Sequence, residues 1–284
     1  MKYKESNSIS QIGVEITDVD ISKPLVKDEL NTIYDLWVKN AVAIFPNQRL
    51  SHNEYNNFAM QFGSFGDEPF LTPMKSQIHI VELRRKATEE AMHFGGSWHS
   101  DWSFQPSPPA ATMLHSKIVP PIGGDTLFSN SALAYEELPN ELKNKVDNLN
   151  GIHSAKLPYA DNGFYALENK KRTMKIKSSK LANKHHLHPI VREHINTKEK
   201  SLFINPVYTI GVEGMDDMEA FELLSKLFEH MTQDKYIYRH QWDENMLIMW
   251  DNRSVMHMAE GGYDGYERLM HRITLAGEIP IPAN

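Results

Sequence analysis

Residues 245–257 read NMLIMWDNRSVMH. The apolar run at 246–250 gives way to a polar turn, DNRS at 251–254, and then to His257. A run this short, bounded by turn residues, reads as a buried strand rather than a helix. The turn then sets His257 at a strand end, where a cavity can open.

Outward from this stretch, the same signature recurs. Short strand-like runs stand at 11–22, 41–46 (AVAIFP), 77–83 (QIHIVEL), 110–119 (AATMLHSKIV), 126–130, 201–210, 236–242 and 268–279. Helical spacing is confined to a few places. Leu30, Ile33, Leu36 and Trp37 share one face. Ser51 and Glu54 form a capping box ahead of Tyr55, Phe58, Ala59 and Phe62. A helix begins near Ser131, breaks at Pro139 and resumes to about Leu149. Asp216 and Glu219 again have capping-box spacing, ahead of a stripe of Phe221, Leu224, Leu227 and Phe228. Strand and helix do not alternate regularly, which argues against a doubly wound parallel sheet. The expected fold is mainly β with inserted helices, a double-sheet jelly roll. No internal repeat or linker divides the chain, so 1–284 is read as one domain. The lysine- and arginine-rich segment 160–186 reads as a lid or loop, and His185, His186 and His188 as part of a solvated loop.

Composition narrows the function. The net charge of −7 argues against a nucleic-acid partner. There is no cysteine, which excludes disulfides, thiolate metal sites and cysteine nucleophiles. The N-terminus lacks a signal-peptide core, and no apolar run suits a membrane helix. A cytoplasmic protein with no membrane partner is expected.

The chemistry gathers at WHSDWSF, 98–104. On a strand His99 and Asp101 project to one side, offering one nitrogen and one oxygen ligand. His257 is the candidate third ligand. Two histidines and a carboxylate with open positions suit Fe(II); zinc also accepts them. The alternative is a plain buried hydrogen-bonded pair. Arg268 and Arg272, four apart in ERLMHRITL, share a strand face and call for carboxylates. Thr126, after GGD, supplies a hydroxyl for the same kind of partner.

Six stretches in order, WHSDWSF, PPIGGDTLFSN, LFINPVYTIGVEG, YRHQW, MWDNRSVMHMA and RLMHRITLAGE, resemble the taurine dioxygenase (TauD/TfdA) family of Fe(II)/2-oxoglutarate-dependent dioxygenases. GVEITDVDIS and AVAIFPNQRLS extend the resemblance more loosely toward the N-terminus. It implies a double-stranded β-helix, with His99, Asp101 and His257 as iron ligands. It implies Thr126 and Arg268 on the distal carboxylate of 2-oxoglutarate, and Arg272 near the C1 carboxylate or a substrate anion. Phe70, Phe94, Gly95 and Tyr208 fall on stretches that line the substrate pocket in the family. The implied reaction hydroxylates a small, anionic organic substrate with O2 as co-substrate, releasing succinate and CO2. A homodimer or homotetramer is implied as well. The chain departs from taurine-specific members: FGSFGDEPFLTP, 62–73, holds neither their histidine nor their tyrosine, and Gly95 replaces their asparagine. Asp101 also argues against a halogenase. The rival readings are a zinc-dependent hydrolase on the same three ligands and a non-catalytic barrel that binds a small anion.

Overall fold

The computed structural model describes residues 1–168 and 172–283. Its strands, in chain order, are β1 (Lys2–Glu5), β2 (Val14–Thr17), β3 (Val42–Phe45), β4 (Val81–Arg85), β5 (Ala111–Ile118), β6 (Thr126–Asn130), β7 (Asn150–Ser154), β8 (His185–Pro189), β9 (Val191–Glu193), β10 (Lys200–Leu202), β11 (Thr209–Val212), β12 (Ile237–His240), β13 (Leu247–Asp251), β14 (Val255–Ala259), β15 (Arg268–Leu275) and β16 (Ile281–Pro282). The helices are α1 (Lys27–Asn40), α2 (His52–Met60), α3 (Ser131–Glu136), α4 (Asn140–Val146), α5 (Lys156–Tyr159), α6 (Phe164–Glu168) and α7 (Asp217–Met231).

The largest sheet has the order β1-β2-β3-β13-β5-β15-β4, and a three-stranded sheet has the order β12-β6-β14. An apolar core joins them. Ile248 and Trp250 of β13, Leu114 of β5 and Met270 of β15 pack with Phe128 of β6 and Val255 of β14. The opposite face of the large sheet is covered by α1 and α2, through Ile33, Trp37, Tyr55 and Phe58. This sandwich with peripheral helices is a jelly roll.

The period of two decides what each strand presents. On β15, Met270 faces the inter-sheet core, whereas Ile273 and Leu275 face α1 and α2. Arg268 and Arg272 lie two residues either side of Met270, so both guanidinium groups start from the inner face. Local signals hold at the helices too. The Ser51–Glu54 capping box is formed, and Asp216 caps α7 by accepting from Met218 N and Glu219 N.

Several expectations need correction. Residues 77–80 form a turn, with Gln77 N donating to Met74 O and Ile80 N to Gln77 O, so the strand starts at Val81. The alternation there was misleading because Ile78 points into solvent. His185, His186 and His188 lie on β8, paired with β7, and His188 is buried with Nε2 against Gln105 O. Phe221 is exposed; the buried stripe of α7 is Ala220, Leu223, Leu224, Leu227 and Met231. Of segment 160–186, residues 169–171 lie outside the described residues; the remainder includes α6 and the first two residues of β8.

Candidate metal centre and active site

His257 is the middle residue of β14 rather than a strand-end residue. Opposite it, His99 makes an isolated antiparallel bridge. His99 N donates to His257 O at 3.0 Å, and His257 N donates to His99 O at 2.7 Å. This reciprocal pair sets the two imidazoles side by side, 4.2 Å between centroids. His99 and Asp101 are therefore not on a regular strand. After the bridge the chain turns, and Trp102 takes a left-handed φ of 45°. The turn still brings Asp101 to the histidines. Ser100 Oγ donates to Val255 O, and Asp101 N donates to Asn252 Oδ1, which ties the turn to the β13–β14 connection.

Asp101 Oδ1 lies 3.6 Å from His99 Nε2 and 3.8 Å from His257 Nε2. Two ligands on one ion at about 2.1 Å each stand at most about 4.2 Å apart, so both pairs fit a shared metal. All three residues are buried, and their ligand atoms lie within 4.8 Å of one another. His99 Nδ1 sits 2.7 Å from Ser97 O, so it carries the proton and frees Nε2 as a lone-pair donor. Burial, then the neighbouring His99, pushes His257 down to about 3, so it is neutral and ready to ligate. Burial alone would raise Asp101. Arg272, followed by His257 and His99, outweighs it and holds the carboxyl well below its ordinary range. Thr112 Oγ1 donates to Asp101 Oδ2 at 2.6 Å and accepts from Asn252 Nδ2, which fixes the carboxylate plane. The chain's own residues thus fit a divalent metal.

A cavity of about 250 Å³ opens on this centre. Phe94, Gly95, Tyr208 and Arg272 are on its wall, together with Tyr159 and Tyr165, which sequence reasoning missed. Gly95 has a φ of +77°, a conformation that side chains rarely adopt, and its carbonyl receives Ala259 N. Phe70 stands behind this wall, stacked on Tyr159 at 4.6 Å.

The two arginines part company. Arg272 Nε donates to Glu68 Oε1 at 2.9 Å and Nη1 to Asp101 Oδ1 at 2.8 Å, while Nη2 is buried without a partner. Glu68 also accepts from Trp102 Nε1 at 2.8 Å. Burial raises the Glu68 carboxyl, opposed chiefly by Arg272. Glu68 was not foreseen, since nothing in its local sequence marks it. Arg268 is as deeply placed, yet among the described residues its one hydrogen bond is from Nη2 to Gly124 O at 3.3 Å, and its Nε has none. No ion pair reaches it among the described residues. It lines a small space of about 30 Å³ with Tyr263 and Phe94, and Phe94 is common to this space and the larger cavity. A buried guanidinium without a carboxylate is costly, and an anionic ligand would complete it. Thr126, buried at the start of β6, accepts from Trp242 Nε1 at 3.0 Å through its hydroxyl oxygen, which leaves its proton to donate.

A jelly roll that gathers two histidines and one aspartate beside a cavity has the donor set of a mononuclear metal enzyme, with coordination positions to spare for co-substrates. The sequence model of the Taurine catabolism dioxygenase TauD, TfdA family matches residues 5–274, and the chain belongs to that family. It is 34% identical over 284 residues to an alpha-ketoglutarate-dependent 2,4-dichlorophenoxyacetate dioxygenase of Cupriavidus pinatubonensis, covering 95% of each chain. It is 31% identical over 278 residues to an alkylsulfatase of Acinetobacter baylyi, covering 96% of this chain and 85% of that one. The crystal structure of a taurine dioxygenase from Burkholderia xenovorans superposes with a TM-score of 0.81 at 27% identity, covering 99% of this chain and 91% of that one. The protein is an Fe(II)- and 2-oxoglutarate-dependent dioxygenase that uses O2.

Proposed function

We propose that His99, Asp101 and His257 hold the iron, that Arg268 and Thr126 hold the distal carboxylate of 2-oxoglutarate, and that the substrate is a small organic anion with an apolar or aromatic body. The observation that carries this reading is the buried Arg268 without a carboxylate in the same jelly roll as three convergent metal ligands. A zinc hydrolase has no use for such a cation. Bound Fe(II) supplies the O2 chemistry that couples decarboxylation of 2-oxoglutarate to hydroxylation of a substrate C–H bond.

The protein's residues do the rest. Arg268 and the Thr126 hydroxyl orient the co-substrate by charge-assisted bonds. Thr112 and Arg272 hold Asp101 in one plane. Phe94, Tyr159, Tyr165 and Tyr208 exclude water from the cavity and offer flat apolar surface to a substrate body. Phe70 supports that wall from behind, and Gly95 leaves room over His99. Arg272 Nη2 is the donor for the substrate's anionic group, or for the C1 carboxylate. The named relatives act on a phenoxyacetate and, by name, on an alkyl sulfate, both anions. Among the described residues no helix is long and apolar enough to cross a membrane. A single-domain cytoplasmic enzyme with a small-molecule substrate and no nucleic-acid or membrane partner belongs to the same reading; the acidic net charge favours it over a nucleic-acid partner. A homodimer or homotetramer is part of the same reading.

The test is anaerobic titration with Fe(II) and 2-oxoglutarate, which should develop the weak visible charge-transfer band of that complex. A panel of sulfonates, sulfate esters and aryloxy acids, scored by substrate-dependent succinate release, then identifies the substrate. No band in the wild-type protein would remove the assignment.

A further inference from the structure

Glu68 comes from the loop after α2 to lie behind two residues of the cavity wall, Arg272, 204 residues away in sequence, and Trp102. Its side chain is 8% exposed, and its two oxygens accept from two N–H groups, Arg272 Nε and Trp102 Nε1. The Arg272 guanidinium therefore faces two buried carboxylates, Glu68 and Asp101, while it lies 5.4 Å over the Trp102 ring. One edge of its donor fork is occupied by Glu68. A two-pronged grip on an incoming anion through Nε and Nη2, the usual geometry for a carboxylate or sulfate, is closed off. One nitrogen, Nη2, is left.

Charge tells the same story. In the loaded site Fe(II), Arg268 and Arg272 carry four positive charges, and Asp101, Glu68 and 2-oxoglutarate carry four negative ones. No net positive charge remains to draw in a substrate anion. With an uncharged residue at 68 there would be a surplus of one.

We propose that Glu68 is the specificity-determining residue for substrate charge. Acting through Arg272, it restricts the substrate's charged group to a single negative charge held by one nitrogen, Nη2. It thereby turns away dianions, a second molecule of 2-oxoglutarate or its product succinate among them. This rests on the dioxygenase reading of the same cavity, but it concerns selectivity and not the reaction.

The experiment measures dissociation constants anaerobically, in the Fe(II)·2-oxoglutarate complex at pH 8, for a charge series on one body: phenoxyacetamide, phenoxyacetate and phenoxymethylphosphonate. Wild type, Glu68→Gln and Glu68→Asp are compared. Removing one charge near the ligand in a partly dry site should tighten phenoxyacetate relative to the amide about tenfold in Glu68→Gln, and the dianionic phosphonate by about the square of that factor. Glu68→Asp keeps the charge and should stay near the wild-type ratios. A merely structural role would weaken all three ligands alike, and that result overturns the proposal. So does a selective loss of the anions in Glu68→Gln, which would make Glu68 the residue that aims Arg272 at them. Binding of 2-oxoglutarate but of no anion in either protein overturns it too. Failure to form the charge-transfer band in wild type is a different result, and removes the dioxygenase site itself.

Discussion

Arg268 and Arg272 start from the same face of β15, and both are buried, but their surroundings are opposite. Arg272 has carboxylates at 2.8 and 2.9 Å; Arg268 has a backbone carbonyl at 3.3 Å and no ion pair among the described residues. Burial lowers the Arg268 guanidinium, against Tyr263 and Asp125, whereas Asp101 and Glu68 overcome burial and raise that of Arg272. A buried cation whose partners are built into the chain is a strut. One without them is where we propose that a ligand completes the pair.

The comparison breaks most completely at Asp101. Asp101→Ala removes a proposed metal ligand and one of the two carboxylate partners of Arg272, and should lower Fe(II) affinity by more than about 100-fold. Metal titration checks this, and wild-type affinity would refute the ligand set. Next, Arg272→Gln leaves Glu68 and Asp101 as uncompensated buried carboxylates, and should destabilise the apoprotein by about 3–5 kcal/mol in urea. Arg268→Gln should do the reverse. Apoprotein stability should hold or rise, while 2-oxoglutarate binding weakens by about 3–5 kcal/mol, at least a hundredfold. Equal stability losses in the two variants would erase the distinction. A smaller effect is expected for Thr112→Val. It breaks one charge-assisted bond to Asp101, worth about 1.5–3 kcal/mol, and should appear mainly as weaker metal binding.

A further effect is on pH. Burial pushes His115 and His188 down to about 4 and His240 and His271 down to about 3. The unfolded chain takes up these protons near pH 6.5, before the folded one does. Their contribution is intact above pH 6.5 and is lost progressively as pH falls through the folded values near 4 and 3. Urea midpoints of the apoprotein should therefore fall from pH 7.5 to pH 5; a flat profile would contradict the neutral buried rings.

These differences show what a sequence makes legible. The convergence of His99 and Asp101 with His257 and the burial of Arg268 could be expected from residue type and short spacing, even though His99 and Asp101 reach their positions through a bridge and a turn rather than a strand. The β13 and β15 strands are legible because apolar runs of strand length have few other homes. Glu68 is not legible, because its meaning lies in a contact across 204 residues and its local neighbours say only that a loop is present. His188 was misread for a related reason. A histidine-rich stretch looks solvated until β7 and the Gln105 carbonyl are placed around it.

The order of the large sheet has a further consequence, for synthesis. β15, close to the C-terminal end of the sequence, is inserted between β5 and β4, far earlier strands. On the ribosome, β4 and β5 emerge long before the strand that separates them. Until Leu275 has left the exit tunnel, each presents an unpaired edge to neighbouring chains. The proposed metal ligands wait as well, because His257 meets His99 only when β14 is laid down. The proposed ligand His257 and the closing strand β15 thus emerge in one stretch of synthesis, well after both β4 and β5.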